Sequence, residues 1–337
     1  MANPRAWVLA NETAEQLFVR VEKERPALFL PPLNRIPIRA GNVGNVIEIT
    51  GPSPSAKTEI LLQAAIHCIL PKKWNGVHFG GLERVVAYID LDCRFDVLRL
   101  AQVLKLRILS AYGPALGTNW DLCEVSPRNS FNGSQVDHLD DELFLSCMKR
   151  FLYIRCYNSS EFLAALKTVH LGSIGSGEEL GASLYILIID SIGSFHWIDR
   201  ACQTLTKDGS TREKLSLEKL TENVVQEINK IRDVQPLLVL ASKSTIFGAA
   251  APPNDAHRGH SEGSKNLNKH DRKMLLYREY MSPAWQLFVT HKVFLGISVS
   301  SDGKNGESPT YVCEWIQPPF SALDKFVVRN NGICMVS

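Results

Sequence analysis

The chain has 337 residues, of which 45% are hydrophobic, and its formal net charge at pH 7 is +2. This composition allows a large buried core, and the small net charge excludes a general basic field, so contact with nucleic acid requires a local basic patch. No apolar run approaches the roughly 18 residues of a membrane span, and no secretory segment opens the sequence. The eight cysteines form no C-x-x-C pair, which favours free thiols in a reducing compartment. We therefore expect an intracellular protein with no membrane partner.

Residues 1–40 predict a short helix followed by an extended connector. Thr13 and Gln16 have the spacing of a capping box, and apolar residues follow on one helical face. Pro26 ends this helix, and further prolines keep the next residues extended. Such a segment can dock on the chain's own core or on a partner, and docking on its own core is the plainer expectation. We expect the main domain to span residues 41–337.

A strand, a turn of small residues and a helix follow the connector. Residues 46–49 are typical of a buried strand, and residues 59–70 of a helix that Pro71 ends. The turn between them resembles the phosphate-binding loop G-x-x-x-x-G-K-S/T, in which backbone N–H groups surround the phosphates, the lysine reaches the outer ones and the hydroxyl binds Mg²⁺. We therefore expect ATP and Mg²⁺ as cofactors. The candidate nucleotide-binding residues of the loop are Gly51, Pro52, Ser53, Pro54, Ser55, Ala56, Lys57 and Thr58.

Two positions of this loop depart from the usual pattern. Ala56 stands in place of the second glycine, and its Cβ limits how closely the backbone can approach a phosphate. Pro54 removes one N–H group from the cradle. The pattern thus predicts a phosphate loop with weakened binding, and a coincidental Lys-Thr pair after an ordinary strand and turn remains the alternative.

Two later strands end in acidic residues. The strand at 84–92 ends in Asp90 and Asp92, and an apolar strand at 184–190 ends in Asp190. Functional sites of α/β proteins lie at such strand ends. A buried parallel strand that delivers a carboxylate opposite a phosphate loop is typical of a Mg²⁺ site, here with Thr58 and Asp190 as ligands. A hydrophobic strand ending in Asp also occurs in purely structural roles.

The alternation of strands and helices along the chain predicts the fold. It indicates an α/β domain with a doubly wound, mostly parallel sheet, crossover helices and a β-rich C-terminal part. Polar or aperiodic stretches predict a surface insertion at 112–141 and a mobile loop at 248–273. The remaining predicted strands are 151–156, 236–241, 285–298, 310–316 and 325–329, with helices at 97–108, from about 160, and at 217–231, and a turn at 330–332.

Basic residues outnumber acidic ones between residues 248 and 292. Basic side chains in such a segment can contact the phosphates of DNA, and a solvated loop that binds no ligand is the alternative. The candidate DNA-binding residues are Arg258, Lys265, Lys269, Arg272 and Lys273.

The order of these parts resembles the core of the RecA-like recombinases, and the runs 68–72, 92–100 and 190–200 resemble their eukaryotic paralogues closely. The similarity covers roughly residues 40–335, with an interruption at 112–141. The resemblance implies a RecA-like ATPase core. It also implies a nuclear protein that works on DNA, in a hetero-oligomer with other recombinase paralogues, in homologous-recombination repair of double-strand breaks.

Several departures from this family's pattern bear on ATP hydrolysis and filament formation. Asp92 stands where active members place the Glu that positions the attacking water, and Ser244 stands where they carry a Gln that senses the γ-phosphate. Asp is one methylene shorter, and a displacement of about 1 Å can cost on the order of 10²-fold in rate. The residues ahead of the loop leave no room for a separate DNA-binding domain and contain no F-x-x-A polymerisation motif; Phe162 to Ala165 has that spelling within a core helix.

The sequence therefore favours a nucleotide-binding adaptor that is at most a weak DNA-dependent ATPase, with Asp92 as the candidate catalytic residue. An active ATP-driven repair motor and a scaffold that binds no nucleotide are the alternatives. An unrelated P-loop kinase or GTPase is disfavoured because no substrate lid or guanine-reading motif is visible.

Overall fold

The computed structural model describes residues 13–16, 28, 30–35, 38, 46–115, 134–175, 184–204, 216–247, 277–298, 309–321 and 323–336. The strands are β1 (Val46–Gly51), β2 (Lys73–Trp74), β3 (Val77–His78), β4 (Val85–Asp90), β5 (Phe151–Arg155), β6 (Leu184–Asp190), β7 (Leu238–Ser244), β8 (Ile246–Phe247), β9 (Tyr277–Arg278), β10 (His291–Ile297), β11 (Thr310–Gln317), β12 (Leu323–Arg329) and β13 (Gly332–Val336). The helices are α1 (Lys57–Ile69), α2 (Val97–Ala115), α3 (Ser134–Met148), α4 (Ser159–Gly175), α5 (His196–Thr204), α6 (Leu217–Val234) and α7 (Pro283–Phe288).

One large sheet organises the described residues. Its nine strands run in the order β13-β12-β11-β10-β1-β7-β6-β4-β5. Neighbours from β10 to β5 pair in parallel, whereas β11, β12 and β13 add on in antiparallel fashion. The predicted doubly wound, mostly parallel sheet with a β-rich C-terminal part is confirmed.

The central strands of the sheet are buried on both faces, which explains why they are continuous apolar runs rather than alternating ones. Every residue of β1, β4 and β6 is buried. Alternate side chains of the sheet pack against α1, α2 and α3 on one face and against α4, α6 and α7 on the other. Each face thus has its own hydrophobic core.

Residues 13–16 form the predicted capping box and are exposed, whereas the described residues between 28 and 38 pack on the chain's own core. The Thr13 N–H donates to Gln16 Oε1 over 3.0 Å, and the Gln16 N–H donates to Thr13 Oγ1 over 3.2 Å. Farther along, Leu30 and Leu33 are completely buried. The Arg35 guanidinium holds Asp324 of β12 with two bonds of 2.6 and 2.7 Å. This end of the connector therefore packs against the antiparallel edge strands.

Some predicted elements differ from the observed ones. The predicted strand at 285–298 is wrong in its first part, because α7 occupies 283–288 and β10 begins at His291. Ser282 at the N-cap and Pro283 in the first turn are the local cause. Residues 73–78, for which no strand is predicted, form the small hairpin of β2 and β3. The predicted turn at 330–332 leads directly into β13, which the sequence reading did not include.

The two predicted surface segments lie largely outside the described residues. Helix α2 continues to Ala115 and α3 begins at Ser134, so both ends of the predicted 112–141 insertion are helical. The predicted loop at 248–273, with all five candidate DNA-binding residues, falls outside the described residues. No helix within the described ranges is both long and apolar enough to cross a membrane.

Candidate nucleotide-binding site

The register of the parallel strands brings the predicted site residues to one edge of the sheet. Gly51 at the end of β1 pairs with Ser244 of β7. On the other side, Asp190 of β6 pairs with Asp90 of β4. Since β1, β7, β6 and β4 are consecutive in the sheet, their carboxyl ends meet where α/β proteins bind ligands.

Backbone geometry explains the two glycine positions of the phosphate loop. A Cβ on Gly51 would lie 2.3 Å from the Leu295 carbonyl oxygen and 2.8 Å from Ser55 Oγ, so only glycine fits there. Ala56 adopts φ 61 and ψ 23, the left-handed conformation that glycine adopts without strain. The loop thus keeps the backbone shape of a phosphate loop although Ala56 replaces its second glycine.

Oxygen atoms of the loop itself hold the Lys57 ammonium group. Lys57 Nζ donates to the carbonyl oxygens of Gly51 and Pro52 over 2.8 and 3.0 Å, and to Ser55 Oγ over 3.2 Å. Burial lowers the pKa of Lys57, against the opposing effect of the carboxylates of Asp190 and Asp92. A phosphate group that enters the loop would meet a cation already placed at its centre.

The Asp190 carboxylate is the meeting point of three protein hydroxyl groups. Thr58 Oγ1 and the Tyr88 hydroxyl donate to Asp190 Oδ2 over 2.8 and 2.7 Å, and Ser242 Oγ donates to Oδ1. Burial, followed by the charge of Asp190, raises the pKa of Tyr88 far above its usual value. The phenol therefore stays protonated and serves as a donor.

These residues fit a nucleotide with its Mg²⁺ ion. A carboxylate accepts about four hydrogen bonds or metal contacts, so the three hydroxyls on Asp190 leave it room for a further one. A threonine hydroxyl beside a carboxylate also supplies the oxygen ligands that Mg²⁺ prefers. Thr58 and Asp190 would hold the ion, and Lys57 with the loop backbone would hold the phosphates. The missing N–H of Pro54 is the main deficit of the cradle.

The Asp92 carboxylate lies near Lys57 and Asp190, but its hydrogen bond comes from the turn after β6. Ser194 Oγ, in the turn after β6, donates its single proton to Asp92 Oδ1 and also lies 2.7 Å from the Ser191 carbonyl oxygen. Burial raises the pKa of Asp92, the Ser194 hydrogen bond opposes this shift, and Asp190 adds to it. The candidate catalytic carboxylate is therefore tied to the chain segment that leads into α5.

Asp90 is a structural residue that positions the turn carrying Asp92. Its buried carboxylate accepts hydrogen bonds from the Tyr153 hydroxyl over 2.8 Å and from the Phe95 N–H over 3.2 Å. The Arg155 guanidinium lies 3.6 Å away. The sequence placed both acids at this strand end, and the structure separates their roles.

An ion network around the buried Lys243 lies on the opposite face of β1 and β7. Lys243 Nζ lies 2.8 Å from a carboxylate oxygen of Glu48 and 2.8 Å from one of Glu279. The Trp285 indole N–H donates to Glu48 over 2.7 Å. Side chains alternate along β7, so Ser242 faces Asp190 whereas Lys243 faces this network. Ser244, at the predicted γ-phosphate sensor position, lies beside Gly51 in the sheet.

Sequence reasoning missed Tyr88, Ser242, Ser194 and the Lys243 network. One signal was present: Glu48 interrupts an apolar strand, and a buried carboxylate requires a partner. Ser242 is a small hydroxyl residue near the end of β7. Because side chains alternate along a strand, this position could also have indicated a contact with a carboxylate on the neighbouring strand.

We expect Ala56→Gly to stabilise the protein. The left-handed conformation costs an L-residue about 1–2 kcal/mol, whereas glycine loses about 0.5–1 kcal/mol more in chain entropy. The free energy of unfolding, measured by urea titration without nucleotide, should therefore rise by about 0.5–1 kcal/mol. Ala65→Gly in the buried middle of α1 is the matched control and should lower it by about 1 kcal/mol or more. A loss of similar size in both variants would contradict this account of Ala56.

The raised pKa of Asp92 predicts a pH-dependent effect of Asp92→Asn. The pKa of Asp in an unfolded chain is about 3.9. Because the pKa of Asp92 is higher in the folded protein, losing this proton above that pH favours the unfolded chain and lowers the free energy of unfolding. The variant should be more stable than wild type at pH 7, and this difference should shrink as the pH falls through 4. Urea unfolding at several pH values measures it, with Asp233→Asn at the exposed end of α6 as the control. A difference that does not change with pH would rule out the explanation.

Comparison with known proteins identifies the family. No protein-family model matches the chain. A DNA repair protein XRCC2 homolog from Arabidopsis thaliana is 45% identical over 332 residues, covering 96% of this chain and 88% of the relative. The mouse DNA repair protein XRCC2 is 26% identical over 292 residues, covering 86% of this chain and 84% of the relative. The predicted resemblance to a recombinase paralogue is thereby confirmed, and the chain belongs to the XRCC2 family of DNA repair proteins.

Proposed function

We propose that this protein is a nuclear adaptor of homologous-recombination repair that binds ATP and Mg²⁺ and joins other recombinase paralogues. The observation that carries the nucleotide part is the convergence of Lys57, Thr58 and Asp190 at the carboxyl edge of the sheet. The repair part is supported by relatives named as DNA repair proteins. In this proposal the nucleotide is a structural ligand that stabilises the loop and the strand ends around it.

The surroundings of Asp92 support slow or absent hydrolysis. Its carboxylate accepts a hydrogen bond from Ser194, which directs one oxygen toward the turn before α5. Activation of a water for attack requires a carboxylate within hydrogen-bond reach of that water. A short side chain that is already engaged serves this role poorly. Asp92 is therefore proposed to contribute charge beside Lys57 rather than to act as a general base.

Each alternative has its own supporting observation. For an ATP-driven motor, the proximity of Asp92 to Lys57 and Asp190 keeps a carboxylate beside the phosphate loop. For a scaffold that binds no nucleotide, the three loop oxygens on Lys57 satisfy the ammonium group without any ligand. The adaptor proposal differs from both in requiring Lys57 but not Asp92.

Contact with DNA by Arg258, Lys265, Lys269, Arg272 and Lys273 remains part of the proposal. It rests on the excess of basic residues in the sequence between residues 248 and 292. DNA would be reached mainly within the paralogue complex, since the net charge of the chain alone is small.

Complementation of cells that lack the protein distinguishes the three functions. We expect Lys57→Ala to reduce double-strand-break repair and co-purification of the paralogue partner, because the loop loses its phosphate-binding cation. We expect Asp92→Asn to preserve both. The matched control is Lys167→Ala on the exposed side of α4, which should behave as wild type.

Loss of repair in both site variants would favour the motor. Full repair with Lys57→Ala would favour the scaffold. Either result would contradict the adaptor proposal.

A further inference from the structure

A guanidinium group joins the helix behind the phosphate loop to the last two strands of the sheet. Arg99 Nε and Nη2 donate to the two carboxylate oxygens of Glu59 over 3.1 Å each. The same guanidinium donates to the carbonyl oxygens of Arg329 and Asn330 over 2.7 and 2.9 Å. We name this arrangement the Arg99 clip: the Arg99 and Glu59 side chains with the carbonyl groups of Arg329 and Asn330. It connects α2, α1 and the end of β12, which are far apart in sequence.

The start of α2 holds the guanidinium in place. The Asp96 carboxylate caps this helix, since one of its oxygens accepts hydrogen bonds from the Leu98 and Arg99 N–H groups over 2.8 and 3.2 Å. A planar guanidinium that binds both oxygens of a carboxylate has a well-defined orientation. The Arg99 side chain is 18% exposed and that of Glu59 is 24% exposed. Solvent therefore screens this pair less than it screens a fully exposed ion pair.

One end of the Arg99 clip lies at the candidate nucleotide-binding site. Glu59 directly follows Lys57 and Thr58 and lies in the first turn of α1. The N-terminus of a helix behind such a loop is where the phosphates bind. Without Arg99, the Glu59 carboxylate would be an unpaired negative charge close to these phosphates. The guanidinium therefore fixes the first turn of α1 and balances its charge.

The other end of the clip is the C-terminal hairpin, which consists of β12, β13 and the turn between them. Gly332 adopts φ +112, and a Cβ there would lie 2.5 Å from Gln63 Oε1 and 3.6 Å from a methyl carbon of Val103. Gln63 and Val103 lie one helical turn beyond Glu59 and Arg99, on the same faces of α1 and α2. The hairpin thus contacts both helices at two successive turns. Among the described strands β13 pairs only with β12, so its position depends on these helix contacts as well.

We propose that Arg99 is a positioning residue that couples the phosphate loop to the C-terminal hairpin, so that a bound nucleotide and an ordered hairpin stabilise each other. Such coupling is reciprocal: what fixes the first turn of α1 also fixes the hairpin, and loosening the hairpin weakens nucleotide binding by the same factor. The nucleotide half of this inference rests on the proposed function. The joining of α1 to the hairpin does not, because it is present without a ligand.

Hydrogen–deuterium exchange of the full-length protein without nucleotide tests the joining of the two segments. Arg99→Met keeps a long side chain but removes its charge and its donors. Peptides covering α1 and peptides covering residues 323–336 should both exchange faster in this variant, because each segment loses a fixed partner. Peptides covering β6 should be unchanged, which would show that the sheet is intact.

Arg150→Met is the matched control. The Arg150 side chain is 15% exposed and pairs with Glu83 over 2.8 Å. It also donates to the Ile69 carbonyl oxygen at the C-terminal end of α1 over 3.3 Å. Its removal costs the protein a comparable guanidinium but should leave the exchange of the hairpin unchanged.

Addition of ATP and Mg²⁺ tests the coupling to the nucleotide. In wild type it should slow the exchange of residues 323–336. The affinity for a fluorescent ATP analogue should fall about five-fold or more in Arg99→Met and stay unchanged in Arg150→Met. Arg99→Lys keeps a positive charge beside Glu59 but lacks the fork that reaches the carbonyl groups. It should retain much of the affinity and lose the slowing at the hairpin, whereas a role in folding alone would change both readouts together.

Two results would overturn the proposal. One is unchanged exchange of the hairpin in Arg99→Met without nucleotide. The other is a wild-type protein that binds the analogue without any slowing at the hairpin, and this test needs no variant that might fail to fold. If wild type binds no analogue, the proposed nucleotide function fails, and the comparison without nucleotide still decides whether Arg99 joins α1 to the hairpin.

Discussion

The site depends on the buried carboxylate of Asp190. A buried charge is costly unless it is hydrogen-bonded, and here Thr58 of α1, Tyr88 of β4 and Ser242 of β7 all donate to it. These donors come from three different elements, so the carboxylate joins the helix behind the phosphate loop to two strands of the sheet. The parallel register of β4, β6 and β7 is what brings them within reach. The hydrogen bond from Thr58 to Asp190 therefore fixes the end of the phosphate loop to the sheet, in addition to the contacts within the loop itself.

A second buried charge lies on the other face of the same strands. Lys243 links Glu48 in the middle of β1 to Glu279, which follows β9. Because Ser242 and Lys243 are neighbours on β7, one strand contributes to both networks. Strand β8 follows β7 directly and pairs with β9. The chain at residues 277–278 therefore lies beside the chain that leaves β7. Lys243 of β7 thus joins β1, the strand that leads into the phosphate loop, to the chain that follows β9.

The sequence predicted much of the fold and of the loop because those features depend on local patterns. Apolar runs marked the central strands, and the spacing of Gly51, Lys57 and Thr58 marked the loop. The partners of Asp190 and Asp92 were not predictable in this way. Tyr88 and Ser194 are distant in sequence from the carboxylates they contact, and only the sheet register and the turn after β6 bring them close. Residues 285–288 were misread because a short apolar run suits a strand as well as a helix.

The most direct test of the central claim is the fate of bound ATP. The protein, purified with its paralogue partner, is incubated with labelled ATP and Mg²⁺, separated from free nucleotide, and analysed for ATP and ADP over time. The account predicts that ATP is bound, that it remains intact over many hours, and that Lys57→Ala binds none. Steady conversion to ADP, or the absence of any bound nucleotide in the wild-type complex, would contradict it.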